Sequence, residues 1–388
     1  TAAQPYRVLA RKYRPSAFSG LIGQEALVRT LTNAIAQGRL AHAFMLTGVR
    51  GVGKTTTARI LARAFNCIGP DGKGGPTASP CGVCEHCKAI AEDRHVDVVE
   101  MDAASRTGVN DIRELIEGVR YRPVSARFKI YIIDEVHMLS SNAFNALLKT
   151  LEEPPEHVKF IFATTEIRKV PVTVLSRCQR FDLRRIEADK LAAHLGAIVA
   201  SEGAKLAPTA LALIARAADG SARDGLSLLD QAITLAEPGQ EVSEEQVRAM
   251  LGIADRTQLF ELYEAIMAGN AAPALDQLRR MYEAGADPIV VLQDLLDLTH
   301  WLTRSKLTPD VLNLPGVPEA ERKRGGALAK DLSLPVLARA WQMLLKGLIE
   351  AQYAPQSRAA AERACILLMH AADLPTPGDL VRQLSGGI

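Results

Sequence analysis

The sequence is poor in aromatic residues and has almost no net charge. Phe, Trp and Tyr make up 5% of its 388 residues, and 46 Lys and Arg residues against 44 Asp and Glu residues leave a formal charge of +2. The strongly basic balance that is typical of proteins covering nucleic acid is therefore missing. Any contact with a polyanion must come from a local cluster of side chains.

Long hydrophobic runs are also missing. No segment approaches the roughly 20 consecutive apolar residues that a membrane-spanning helix needs. The opening residues, TAAQPYRVLA, lack the charged and apolar regions of a secretory signal peptide. We therefore expect a cytoplasmic, helix-rich globular protein with no membrane partner.

Cysteine is scarce, but four of the six cysteines lie close together. Cys81, Cys84 and Cys87 occur in the stretch CGVCEHC, and Cys67 precedes them across a loop rich in glycine and proline. Because disulfides are rare in a reducing compartment, this spacing favours four thiolates around one tetrahedral zinc ion. A set of free thiols is the alternative.

The remaining cysteines and two nearby histidines are less informative. His86 and His95 are possible substitute ligands, but four cysteines already complete a zinc shell. Cys178 and Cys365 stand alone in the sequence. We expect both to be core residues.

The pattern of secondary structure changes along the chain. Five short apolar runs alternate with helical segments in the first half, which predicts a parallel sheet with helices on both faces. After about residue 186 we expect helices and no further strands. The predicted strands are 43–48, 96–103, 128–135, 158–166 and 179–184. Stripes at helical spacing that predict core faces are Leu292, Leu295, Leu298 and Leu302, and Leu337, Trp341, Leu344 and Leu348.

A phosphate-binding motif follows the first predicted strand. Residues 48–55, GVRGVGKT, fit G-x-x-x-x-G-K-[ST] and open a helical segment, which is the context that a P-loop requires. Its backbone N–H groups and the helix N-terminus favour phosphate. Lys54 is expected to reach the β- and γ-phosphates of ATP, and the Thr55 hydroxyl to bind Mg²⁺. The predicted nucleotide-binding residues are Gly48, Val49, Arg50, Gly51, Val52, Gly53, Lys54, Thr55 and Thr56.

The strand IYIIDE ends in two carboxylates, Asp134 and Glu135. We expect Asp134 at the magnesium site and Glu135 as the general base that polarises the attacking water. A solvated acid pair at an ordinary strand end is the alternative, but no other apolar strand ends in this way. The pair predicts ATP hydrolysis as well as ATP binding.

Three further polar residues are ambiguous on spacing alone. Thr165, in FATTE, either senses a γ-phosphate or caps its strand. Arg177, in LSRCQRF, and Arg223, in GSARDGLSLLD, are lone arginines, which usually form surface ion pairs of little energetic weight.

Longer stretches make a family resemblance specific. The chain closely resembles the γ/τ subunits of the bacterial DNA polymerase III clamp loader in its four cysteines and in LARKYRPSAFSGLIGQE, GVRGVGKTTTAR, MDAASRTGV, IDEVHMLSSNAFNALLKTLEEPPEHVKFIFATTE, VPVTVLSRCQRF and GSARDGLSLLDQA. The resemblance is dense over residues 6–230 and weak over 245–388.

The resemblance implies an α/β P-loop AAA+ domain over 1–184, with a parallel five-stranded sheet and a zinc module inserted at about 67–87. An all-α lid over 185–246, an all-α collar over 247–375 and a tail over 376–388 follow. Three γ/τ-type subunits of this family join one δ and one δ′ subunit in a five-subunit ring. ATP-bound rings open the β sliding clamp, and hydrolysis at primer–template DNA closes it.

The resemblance also implies roles for residues that spacing left open. Arg177 matches an arginine finger that acts on the nucleotide of the neighbouring subunit, and Arg223 matches a sensor for the nucleotide of its own subunit. Thr165 matches the γ-phosphate sensor, and the four cysteines match a structural zinc site. The residues that match the segment around adenine and ribose are Ala10, Arg11, Pro15 and Ile22.

The preferred interpretation is thus an ATP-driven motor subunit of a clamp loader. A δ′-like stator is one alternative, against which the P-loop and the acid pair argue. A zinc-dependent nucleic-acid-binding module with a structural P-loop, and an AAA+ helicase, are others. Arg106 and Thr107, before the helix NDIRELIEG, are candidate contacts to the DNA backbone, with an ordinary loop as the alternative.

Overall fold

The computed structural model describes residues 7–105, 109–235, 240–251, 256–308, 319–372 and 374. The chain divides into two compact units, Thr1–Ser243 and Glu244–Ile388. The first contains a β-sheet with helices, and the described residues of the second are helices and their connections. None of the described helices is long and apolar enough to cross a membrane.

Five parallel strands form the central sheet of the first unit, as predicted. They are β1 (Ala43–Thr47), β2 (Val98–Asp102), β3 (Lys129–Asp134), β4 (Val158–Thr164) and β5 (Gln179–Asp182). The strand order is β2-β3-β4-β1-β5, so β4 lies between the P-loop strand and the strand that ends in the acid pair. The carboxyl ends of all five strands meet at one edge, which is where open α/β sheets bind ligands.

Helices cover both faces of this sheet. The described helices up to residue 175 are α1 (Leu9–Lys12), α2 (Glu25–Ala36), α3 (Lys54–Asn66), α4 (Glu85–Ala91), α5 (Val109–Val119), α6 (Ser141–Glu152) and α7 (Val172–Leu175). One core contains Leu31 of α2 and Ile60 of α3, and the other contains Ile112 of α5 and Phe144 of α6. Because both faces are covered, every residue of β1 and β4 is buried.

In the rest of the first unit, the described residues form three helices and a short strand pair. The helices are α8 (Ala188–Ser201), α9 (Pro208–Ala217) and α10 (Ala222–Leu235), and the parallel strands are β6 (Lys205–Leu206) and β7 (Glu241–Val242). The sequence pattern predicts no strand beyond residue 186, and the structure differs here. Strands of two residues show no periodicity, and this pair is held by burial of Leu206 and Val242.

The second unit is built from helices α11 (Glu244–Met250), α12 (Arg256–Met267), α13 (Ala271–Glu283), α14 (Pro288–Leu307), α15 (Glu319–Asp331), α16 (Leu334–Tyr353) and α17 (Ser357–Ala372). Asp287 caps α14, since its carboxylate accepts the N–H groups of Ile289 and Val290. The predicted leucine stripe of α14 is buried. The prediction for α16 is wrong at Trp341, which is 36% exposed and lies beside the ring of His300.

Candidate functional site

The predicted phosphate-binding loop connects β1 to α3 and is packed tightly at two glycines. A Cβ on Gly51 would lie 1.9 Å from Oγ of Ser221, and a Cβ on Gly48 would lie 2.7 Å from the carbonyl oxygen of Leu183. Both glycines also have positive φ, +78° at Gly51 and +152° at Gly48. Other segments of this chain therefore require glycine at both positions.

Lys54 begins α3 and its side chain is buried within the loop. Nζ donates hydrogen bonds to the carbonyl oxygens of Gly48 and Val49, both at 3.0 Å. Burial lowers the pKa of Lys54, while the carboxylates of Glu135 and Asp134 act to raise it. The ammonium group is thus held by carbonyl oxygens with which a phosphate oxygen can compete.

Thr55 and Asp134 are brought together at the carboxyl edge of the sheet. The Thr55 hydroxyl donates to Oδ2 of Asp134 at 2.5 Å, and Oδ1 of Asp134 accepts the N–H of Glu135 at 2.9 Å. Hydroxyl and carboxylate oxygens are the ligands that Mg²⁺ prefers in phosphate-binding sites. The two side chains therefore fit the predicted magnesium site.

Glu135 follows with an unusual backbone conformation. Its φ of +46° and ψ of +44° are left-handed, which costs a non-glycine residue about 1–3 kcal/mol. Its Oε2 atom accepts two hydrogen bonds from Thr165, one from the N–H at 3.1 Å and one from the hydroxyl at 2.9 Å. The structure thus joins the predicted general base to the predicted γ-phosphate sensor.

The two predicted arginines have different surroundings. The N–H of Arg223, in α10, donates to the carbonyl oxygen of Gly51 at 3.2 Å, so this helix begins against the phosphate-binding loop. The guanidinium of Arg177 donates to Glu152 at 2.6 Å and to the carbonyl oxygen of Thr173 at 2.7 Å. These contacts tie Arg177 to α6 and α7, and its side chain is 33% exposed.

The four predicted zinc ligands converge at the other end of α3. The Sγ atoms of Cys67, Cys81, Cys84 and Cys87 all lie within 4.8 Å of one another. Sγ of Cys67 accepts the N–H groups of Cys81 at 3.3 Å and Gly69 at 3.4 Å. Four sulfur donors at this separation fit a tetrahedral zinc ion.

The thiols of this cluster differ in their tendency to ionise. Backbone N–H groups, first that of Cys84, lower the pKa of Cys81 to about 6, whereas burial raises the pKa of Cys87 to about 12. A cation favours the thiolate form of every ligand, so a bound metal ion stabilises all four cysteines as thiolates. Few apolar side chains pack against the cysteine cluster, and Ile68 is the main aliphatic one.

His86 and His95 lie outside the group of four sulfur atoms and contact each other. Nδ1 of His86 is 2.8 Å from Nε2 of His95, whose Nδ1 accepts the N–H of Asp97 at 3.0 Å. The Asp97 carboxylate in turn accepts the N–H groups of residues 124–126. The two rings therefore connect α4 to the segment that precedes β3, rather than serving as substitute ligands.

Family models match most of this chain. The lid domain of DNA polymerase III clamp loader subunits matches residues 190–238, and domain III of DNA polymerase III subunits gamma and tau matches 242–384. A model for the delta subunit of DNA polymerase III matches 23–187. The DNA polymerase III subunit gamma of Buchnera aphidicola subsp. Acyrthosiphon pisum is 37% identical over 366 residues, which are 94% of this chain and 99% of that protein.

The chain belongs to the gamma/tau subunit family of the DNA polymerase III clamp loader.

Longer family members extend the comparison. The tau subunit of Escherichia coli K12 is 44% identical over 92% of this chain and 54% of its own length. The tau subunit of Bacillus subtilis is 38% identical over 98% of this chain and 67% of its own length. The chain thus spans about half the length of the first of these relatives.

In this gamma/tau chain the N-terminal segment lies against α8 and α10. The N–H of Leu9 donates to Asp230 at 3.4 Å, and Lys12 forms an ion pair of 2.7 Å with Glu202, which also accepts the hydroxyl of Tyr13. Spacing rules do not identify these contacts, because they join residues far apart in the sequence. The residues predicted around adenine lie in or just after this segment, with Ala10 and Arg11 in α1 and with Pro15 and Ile22 partly buried beyond it.

Two other results complete the comparison with the sequence predictions. Arg106 and Thr107, the candidate DNA contacts, lie outside the described residues. His137, which the sequence analysis does not single out, contacts Glu135 and Thr164 at the same sheet edge. Its position two residues after Glu135, in IDEVH, is the only sequence signal for it.

Proposed function

We propose that this chain is the ATP-hydrolysing motor subunit of a clamp loader. ATP binding opens the β sliding clamp, and hydrolysis triggered at primer–template DNA closes it. The observation that carries the proposal is the meeting of Lys54, Thr55, Asp134 and Glu135 at one sheet edge. A subunit that only binds nucleotide has no need of a general base beside the magnesium site.

In this proposal each side chain at the sheet edge has a separate role. Lys54 exchanges the loop carbonyl oxygens for the β- and γ-phosphates of ATP. Thr55 and Asp134 hold Mg²⁺, which when bound neutralises phosphate charge. Glu135 takes a proton from the attacking water, a role that contributes about 10²- to 10⁴-fold. Thr165 donates its hydroxyl to the γ-phosphate and thereby leaves Oε2 of Glu135 available to the water.

We assign Arg177 to the site of a neighbouring subunit and Arg223 to the site of its own. The partial exposure of Arg177 supports an action in trans, because its guanidinium needs only to exchange Glu152 for a phosphate. An arginine supplied in this way is worth about 10³- to 10⁵-fold in rate. The contact between Arg223 and Gly51 supports a role for α10 in reporting the state of the phosphate-binding loop.

A ring with δ, δ′ and further copies of this subunit requires contact surfaces, and α16 offers one. Trp341, Leu345, Ile349 and Tyr353 recur every four residues along this helix and are 36%, 41%, 51% and 85% exposed. Four large apolar side chains on one exposed helix face are typical of an interaction site. We propose that this face packs against neighbouring subunits in the collar.

The cysteine cluster has a structural role in this proposal. Zinc holds residues 67–87 in one conformation, because the segment has little core of its own. We also retain the division into an ATPase domain (1–184), a lid (185–246), a collar (247–375) and a tail (376–388). The matches to the lid and domain III families support the second and third of these assignments. DNA contact by Arg106 and Thr107 stays a prediction.

The test is the steady-state ATPase rate of the reconstituted loader, with and without clamp and primed DNA. The motor proposal expects stimulation in the wild type and its loss when every copy carries Arg177→Ala, with ATP binding retained. Arg180→Ala is the matched control, since Arg180 lies on the same segment and pairs with exposed Asp182. Equal rates for wild type and Arg177→Ala would exclude the arginine finger, and binding without any hydrolysis would indicate a stator.

A further inference from the structure

His137 is a buried imidazole between the ends of two neighbouring strands. It lies in a short 3-10 helix, Val136–Met138, directly after β3, and its side chain is 6% exposed. Nδ1 lies 3.0 Å from Oγ1 of Thr164 and 3.4 Å from Oε2 of Glu135. Nε2 lies 3.4 Å from Oε1 of Glu166. The ring therefore contacts the end of β3 through one residue and the end of β4 through two.

The atom of Glu135 nearest to His137 is the one that also contacts the predicted sensor. Oε2 accepts both the N–H and the hydroxyl of Thr165, while Oγ1 of Thr164 accepts the N–H of Glu166 at 3.0 Å. One carboxylate oxygen thus contacts both Thr165 and Nδ1 of His137. Glu135 also has a left-handed backbone, a conformation that persists only where surrounding contacts hold it.

We propose that His137 is a positioning residue for ATP hydrolysis, which through Nδ1 fixes the Glu135 carboxylate against the end of β4. The inference rests on the proposed function, because it takes Glu135 as the general base. The polar contacts that the described residues make with His137 come from Glu135, Thr164 and Glu166, and not from the phosphate-binding loop. Loss of this contact therefore slows the chemical step and leaves ATP binding intact.

The two ring nitrogens separate this proposal from a role in packing alone. The amide of asparagine reaches the position of Nδ1, and the longer amide of glutamine reaches the position of Nε2. His137→Asn therefore keeps a hydrogen-bonding group beside Thr164 and Glu135. His137→Gln keeps one beside Glu166 instead, and a side chain that only fills space has no reason to prefer the smaller substitute.

The experiment compares both variants in the reconstituted loader with clamp and primed DNA. His137→Gln is expected to lower kcat by about 10- to 100-fold, the penalty of a misplaced catalytic group, with KM for ATP unchanged. His137→Asn is expected to stay within about threefold of wild type in kcat and KM. Equal kcat values for the two variants, or a loss carried by KM, would overturn the inference.

A second variant keeps the test decisive if His137→Gln does not fold. Thr164→Val removes the hydroxyl that contacts Nδ1 while conserving the shape of a fully buried side chain. The inference expects a lower kcat with unchanged affinity for a non-hydrolysable ATP analogue, and a wild-type kcat contradicts it. Glu135→Gln distinguishes failure of the proposed function from failure of the role of His137. If it hydrolyses ATP at the wild-type rate, the proposed function fails; if it is inactive while His137→Gln is fully active, only the role of His137 fails.

Discussion

The two ends of helix α3 carry two sites that are stabilised in different ways. Lys54 and Thr55 occupy the first turn, and Cys67 is the C-terminal cap. Ile60, Leu61 and Phe65, between them, are buried to 1% exposure or less, so the core of the sheet fixes the helix itself. The two ends differ in how much of the chain just beyond the helix packs against that core.

At the N-terminal end, contacts with the surrounding protein hold the loop. Gly48 meets Leu183, Gly51 meets Ser221 and Arg223, and Lys54 is bonded to loop carbonyl oxygens. At the C-terminal end the chain leaves the core, and sulfur atoms take the place of apolar side chains. In the proposed function, α3 is anchored at its N-terminal end and ends where residues 67–87 have little apolar core, so zinc held by the four cysteines orders this segment.

The largest expected effect comes from a substitution that disrupts only the site at the N-terminal end of α3. Lys54→Ala removes the only side-chain ammonium seen within the loop and should lower the ATPase rate by at least about 100-fold, with weaker ATP binding. Zinc content should stay at the wild-type value, because the cysteine cluster at the other end of α3 is untouched. Lys149→Ala, an exposed lysine of α6, is the control. Loss of zinc from Lys54→Ala would show that the two ends are not independent.

The second prediction concerns disruption of the cysteine cluster at the C-terminal end of α3. Chelation, or Cys84→Ser, should release about one zinc ion per chain and abolish hydrogen-exchange protection over residues 67–91. ATP affinity should change by less than about threefold, since the loop at the other end is held by protein contacts. Cys178→Ser is the matched control and should keep its zinc. Full protection of this segment after metal removal would contradict a metal-ordered module.

The smallest expected effect concerns Asn66, at the boundary between the part of α3 held by the sheet core and the cysteine cluster. Asn66, fully buried at the end of α3, donates through Nδ2 to the carbonyl oxygen of Phe128 and accepts the N–H of Phe128 through Oδ1, both at 2.9 Å. Asn66→Ala leaves both backbone groups unpaired and should reduce the free energy of unfolding by about 2–4 kcal/mol. Denaturant unfolding measures it.

The control for this change is Asn33→Ala, at an exposed position of α2, which should stay within about 0.5 kcal/mol of wild type. If Asn66→Ala is destabilising only after zinc removal, metal rather than hydrogen bonding holds the end of α3. An equal loss with and without zinc supports the view that protein contacts reach as far as residue 66.

Local patterns accounted for the parallel sheet, and they identified residues 48–55, the acid pair and the four cysteines. The loop before a helix, the strand end and the CxxC turns are short runs in which spacing brings the groups together, whereas Cys67 joins the other cysteines across 14 positions. The same reasoning predicts that Trp341 lies on a core face, whereas the structure leaves this side chain exposed. It also does not predict β6 and β7. A stripe shows which residues share a helix face, but not how much of that face another helix covers.

The sequence by itself determined which chemical groups this chain carries and the local geometry that presents them. Only the tertiary structure decided which groups meet: Thr165 with Glu135 across 30 positions, His137 with Thr164 across 27, and Arg223 with Gly51. The physical reason for the first two contacts is that β4 lies beside β3, an adjacency fixed by burial of the sheet against helices on both faces. The third contact arises because α10 begins against the phosphate-binding loop. Spacing along the chain does not show which strands lie side by side.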